Sequence, residues 1–154
     1  GRDAPAALAA CCAAGDGPGA VEAARRLIGL GPGLTPSGDD MLAGLLLALR
    51  LLGGATAGAR AVWLADQLAA TVTRHARERT TPVSAALLHC AARGQGSAEV
   101  GRVLRALGGL EPAAAAVARL LAIGHTSGAD LAWGLSAGGQ AVLALSPADR
   151  HESG

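Results

Sequence analysis

An all-α multi-helix bundle is the fold this sequence predicts, on three observations. Val, Ile and Thr nowhere alternate with polar residues over the length of a strand. Apolar residues instead recur at helical spacing between Gly, Pro and Ser/Thr/Asp punctuation. Bulk is scarce: with no Phe or Tyr, only Trp63, Trp133 and Met41 are large, so the core must be built from Ala, Leu and Val. Small side chains favour closely packed helices. At 154 residues the length fits one domain, able to bury roughly 70% of the surface of its unfolded chain.

The elements follow in order. Ala6 to Ala14 reads as an Ala-rich turn or helix ended by "GDGPG", and Val21 to Ile28 as a short helix before the glycine loop. Asp39 to Leu52 is apolar on nearly every face, which marks a buried central helix. In Arg60 to Arg79, Leu64, Leu68 and Val72 form an apolar stripe, with Arg74, Arg77 and Arg79 in the last turns. "TTP" at 80–82 stops that helix. Pro82 to Ala92, Ala98 to Leu107 and Pro112 to Ile123 read as three more, and Gly128 to Leu145 as a second apolar, buried glycine-containing helix related to the first by a pseudo-repeat. The helical domain spans 1–146, and residues 147–154 read as a disordered tail.

Composition excludes several function classes. The thirteen basic residues are all Arg, so Schiff-base, P-loop and general-base lysines are absent. A net charge of +1 argues against a nucleic-acid binder. Cys11, Cys12 and Cys90 have neither metal-ligand spacing nor an even count, which fits a reducing cytoplasm. The longest apolar run, Met41 to Leu49, is far too short for a membrane span. No signal peptide is visible, and the chain opens on "GRDAPAAL" without an initiator Met, as a fragment or processed chain would.

One device occurs twice. "SGDDMLAGLLLA" at 37–48 and "SGADLAWGLSAG" at 127–138 pair Ser37 with Ser127, Gly38 with Gly128, Asp40 with Asp130, Gly44 with Gly134 and Leu45 with Leu135. Each is approached through glycine and threonine, in "GLTP" and "GHT". S-x-x-D is a capping box, and Asp39, Asp40 and Asp130 complement the helix dipole by about 0.3–1 kcal/mol each. Capping accounts for Ser and Asp without a ligand. It leaves the glycines unexplained, because each costs about 1 kcal/mol relative to Ala inside a helix. Gly44 and Gly134 are therefore expected to let two helices touch backbone to backbone. Gly31, Gly33, Gly38 and Gly128 are expected to leave N–H groups open to an anion.

On this reading Thr35, Ser37 and the N–H groups of Gly38 and Asp39 hold a phosphate or carboxylate, faced by Thr126, Ser127 and Gly128. Asp40 and Asp130 orient the helix starts or hold a magnesium ion, although two carboxylates do not define a metal site. His125 is a donor or acid/base candidate against the alternative of a structural histidine. In "RHARERTTPVS", Arg79, Thr81 and Ser84 either clamp the anion or finish the helix. His75 and His89 read as ordinary helix positions.

"LIGLGPGLTPSGDDMLAGLLLAL", followed by "TTPVSAALLHCAARG" and "GHTSGADLAWGLSAG", resembles the AllH-like family, associated with a subunit of oxamate carbamoyltransferase. The resemblance spans most of residues 27–140 and covers the C-terminal helical part of longer family members, whose additional N-terminal region is absent from this sequence. It implies a multi-subunit enzyme with an acyl-CoA-synthetase-like subunit and a further family-specific subunit. The implied reaction is oxalurate plus phosphate giving oxamate plus carbamoyl phosphate, in allantoin breakdown. No catalytic assignment comes with it. A non-catalytic structural subunit or an anion sensor is the alternative.

Overall fold

A computed structural model describes residues 3–55, 59–107 and 127–146. They form seven helices: α1 (Ala4–Ala14), α2 (Gly17–Leu27), α3 (Ser37–Ala55), α4 (Ala59–Arg79), α5 (Pro82–Ala92), α6 (Ala98–Leu107) and α7 (Ser127–Leu145). No strand is present among the described residues, so the all-α class holds. The helix expected over Pro112 to Ile123 and the tail after residue 146 lie outside the described residues.

The helix ends differ from expectation where glycine starts a helix. "GDGPG" ends α1 and also opens α2. Gly15, at φ +72°, closes α1 in the left-handed conformation, and its N–H donates to the Cys12 carbonyl at 3.1 Å. Asp16 then caps α2 by accepting from the Gly19 N–H at 3.0 Å, and Pro18 sits in the first turn, where its missing N–H costs nothing. The second helix therefore starts at Gly17, before the expected Val21. α5 matches its expected span, with Thr81 as cap and Pro82 at its first position.

α3 is the axis. Leu42 through Leu49 are all buried, so this helix has no solvent face in its middle. It runs antiparallel to α4, with Gly53 against Ala61 at one end and Asp39 bonded to Thr80 at the other. At its far half Arg50 ties three helices: Nε donates to the Ala92 carbonyl at 2.9 Å and Nη1 to Asp66 of α4.

The most extensive packing is between α3 and α7. A Cβ added to Gly44 would lie 2.3 Å from the Leu131 carbonyl oxygen, and one added to Gly134 would lie 2.1 Å from that of Met41. The two backbones touch. Further along, a Cβ on Gly138 would meet the Ala48 Cβ at 2.6 Å, so the two helices run parallel. α7 is less buried than expected. Ser136, Gln140, Leu143 and Ala144 line an exposed face, as the polar pair four residues apart signals.

The core is aliphatic: its largest fully buried side chains are Leu and Val72, while Trp63 is half exposed. Cys12 is fully buried, and loss of solvation, with Cys11 beside it, pushes its thiol up to about 12. Cys11 is raised by partial burial and by Asp16. Alkylation at mildly alkaline pH should thus leave Cys12 unmodified until denaturant is added. Rapid modification in the folded protein, read by mass spectrometry, would contradict this core. No described helix is long and apolar enough to cross a membrane.

Candidate functional site

Helix directions decide what meets at one end of the bundle. α3 and α7 are parallel, and α5 shares their direction, with Ser84 near Asp39 and Ala92 near Arg50. α2 and α4 run the other way, ending together at Arg25 and Arg79. One end therefore gathers the N-termini of α3, α5 and α7 and the C-termini of α2 and α4. The expected convergence of the two Ser-Gly-x-Asp starts follows from that parallel packing.

Between α2 and α3 the chain makes the loop 28–36. Gly29, Gly31 and Gly33 all have positive φ, at +77°, +117° and +93°. Gly29 also packs so close to the Arg79 carbonyl that a Cβ would come within 2.1 Å of it. Gly33 differs: nothing lies within 4 Å, and it is exposed with Gly31, Pro32 and Leu34. Gly31 lies against Ser37, 3.0 Å from its nitrogen if given a Cβ.

Asp39 holds this loop in place. It is 2% exposed. Oδ1 accepts from the Gly29 N–H at 2.8 Å, and Oδ2 accepts from the hydroxyls of Thr80 and Ser84. The loop, the start of α3 and the α4–α5 junction thus share one carboxylate. Thr81 adds a second tie: its hydroxyl donates to the Leu34 carbonyl and accepts from the Ser84 N–H at 3.1 Å.

This geometry corrects the capping box at Ser37. The Pro36 carbonyl accepts from the N–H groups of Asp39 and Asp40, at 3.0 and 3.1 Å, so Pro36 occupies the cap and Ser37 is already helical. The Asp40 N–H, expected to bond the Ser37 side chain, goes to Pro36 instead, and Asp39, now third after a cap that has no N–H to offer, accepts from Gly29. Two expected anion donors are also engaged. The Gly38 N–H donates to the Leu30 carbonyl at 2.9 Å, and that of Asp39 to Pro36. Gly38 is glycine for packing, since a Cβ would fall 2.0 Å from the Leu27 carbonyl oxygen.

Open donors remain in the loop. Among the described residues the N–H groups of Gly31, Gly33 and Ser37 meet no backbone acceptor. Arg79, Thr81 and Ser84 turn to protein partners: Arg79 Nη1 donates to the Arg25 carbonyl at 3.1 Å. Asp40 is 7% exposed in the first turn of α3, and Asp130 holds the matching place in α7 with its Oδ2 buried. No three His, Cys, Asp or Glu side chains gather as a metal would need, among the described residues. Gly128 is buried at the start of α7. His125, Thr126 and the Ser127 side chain lie outside the described residues.

Sequence reasoning missed Thr80 and Gly29, the partners of Asp39. Glycine before a Gly/Pro loop and the first Thr of "TTP" were the available signals, but their pairing with Asp39 is tertiary. Residues 27–139, which contain the whole loop, α3, the α4–α5 junction and the first part of α7, match the model of a protein family described as oxamate carbamoyltransferase subunit AllH. The chain belongs to that family. The AllH match begins on the last residue of α2 and ends within α7, so α1 and most of α2 lie before it. No solved structure matches the chain.

Proposed function

We propose that this AllH-family chain is a carbamoyltransferase subunit whose glycine loop and paired helix starts receive a small anionic substrate. The observation that carries the reading is the set of open N–H groups at Gly31, Gly33 and Ser37. They lie where the N-termini of three helices converge, each contributing about half a positive charge. In this proposal Thr35 and the Ser37 hydroxyl add to the donor set, faced by Thr126, Ser127 and Gly128. Such donors stabilise charge developing on a transferred carbamoyl group.

The reaction in this proposal is oxalurate plus phosphate to oxamate plus carbamoyl phosphate. His125 serves as proton donor or acceptor, and Asp40 and Asp130 orient the helix starts or a magnesium ion. Gly38, Asp39, Arg79, Thr81 and Ser84 shape the pocket from behind. The chain acts with an acyl-CoA-synthetase-like subunit and a further family-specific subunit. A purely structural subunit is the second reading, favoured by the wholly internal bonding of Asp39.

A thermal-shift titration with phosphate, carbamoyl phosphate, oxalurate and oxamate separates the two. A ligand at about 100 times its Kd adds about 2.7 kcal/mol, several degrees of Tm for a domain of this size. The proposal expects such a shift for at least one anion, abolished in a folded Ser37→Ala variant and reduced in Thr35→Val. Equal shifts in wild type and both variants would remove the pocket from this loop, and no shift with any of the four would favour the structural reading.

A further inference from the structure

We propose that Arg25, Arg74 and Arg79, with His75 among them, form a second anion site that takes a tetrahedral dianion of the phosphate type. It lies at the loop end of the bundle and shares Arg79 with the wall of the glycine-loop pocket, but it uses none of that loop's open amides, and Arg25→Gln tests it without touching that pocket.

Three features carry the inference. First, the cations are brought together by the fold: α2 and α4 end side by side, and Arg79 crosses to the Arg25 carbonyl at 3.1 Å. Second, the cluster is accessible. Arg74 and Arg79 are exposed, the Arg25 side chain is 43% exposed, and His75 is half-buried between them. Third, carboxylates offset it only in part. Glu22 reaches Arg25 only at 3.9 Å from a mostly exposed position, and Glu78 is the one acid that acts on His75. Partial desolvation, then the guanidiniums of Arg25, Arg79 and Arg74, hold the His75 imidazole below its ordinary value, against the pull of Glu78.

Arginine forks match tetrahedral oxyanions, and an imidazole beside them becomes a further donor once protonated. A bound dianion reverses the field at His75. Arginines at helix C-termini also complement the helix dipole, and that role alone predicts no ligand.

The test follows the His75 imidazole by NMR, with its resonance identified from its loss in His75→Gln. Sulfate is the probe, because it stays a dianion throughout the imidazole titration, and sodium chloride at equal ionic strength is the control. The site predicts a saturable rise of about one unit in the His75 pKa with sulfate beyond that with chloride. By linkage, sulfate binds about tenfold tighter to the protonated form. Inorganic phosphate at neutral pH should compete for the same site. Arg79→Gln and Arg25→Gln should each raise the His75 pKa without ligand, by removing a repelling charge, and should each abolish most of the sulfate effect. Equal responses to sulfate and chloride, or a sulfate effect intact in both folded variants, would overturn the proposal.

Discussion

Gly44→Ala is expected to destabilise the protein by about 3 kcal/mol, although the same exchange at an exposed helical site stabilises by about 0.5–1 kcal/mol. The added methyl would sit 2.3 Å from the Leu131 carbonyl oxygen and 2.9 Å from the Leu135 nitrogen. Both are backbone atoms and neither can swing aside. α3 and α7 must separate, loosening the packing of Leu42, Leu45, Leu46 and Leu135, all fully buried. Gly54 supplies the control within the same helix, since nothing lies within 4 Å of a Cβ there. Gly54→Ala should be neutral or stabilising. Denaturant midpoints for the pair decide the matter: a Gly44→Ala variant as stable as Gly54→Ala would mean that the two backbones are not in contact.

Removing the carboxylate of Asp39 should cost a comparable amount, about 3 kcal/mol or more, for a different reason. Asp39→Ala strands the Gly29 N–H and two hydroxyls, and Ser84 is only 1% exposed. Each charge-assisted bond is worth about 1.5–3 kcal/mol, and a stranded buried donor loses its solvation as well. The sum is less than additive because the Ala variant no longer buries a charge. Ser84→Ala removes one donor and should cost about 1 kcal/mol. A local readout separates this from general unfolding. Amide exchange at Gly29 should be slow in wild type and fast in Asp39→Ala, under conditions where both remain folded. Unchanged protection at Gly29 would remove Asp39 as the loop's anchor.

The two predictions also mark what the sequence made legible. Helix positions came from periodicity, and the α3 axis from an apolar run with no polar side. Gly44 and Gly134 stood out because glycine is costly in a helix rich in alanine, and that cost pointed to contact. The loop yielded less. The sequence pattern at Gly38 suggests an opening for a ligand, whereas its missing Cβ makes room for the Leu27 carbonyl. A residue pattern shows that space is needed without showing what fills it. Beside Asp40 in the sequence, Asp39 looks like a helix-dipole partner, whereas its bonds run to Gly29, Thr80 and Ser84. Such long-range pairs leave no local trace. The start of α2 failed for the opposite reason: Gly, Asp and Pro were all recognised as punctuation, but the same residues end one helix and begin the next.

The parallel contact between α3 and α7 has a consequence for biosynthesis. Gly44 and Gly134 are separated by 134 − 44 = 90 residues of chain, and at about 5–20 residues per second the ribosome needs several seconds to make that stretch. During that interval α3 emerges apolar on every side while its closest neighbour does not yet exist. The nascent chain must shelter the Leu42–Leu49 surface by α4 and α5 alone, or by a chaperone. Chains released before residue 127 would therefore expose a sticky groove shaped for α7, and they should be the species that aggregate when translation is interrupted.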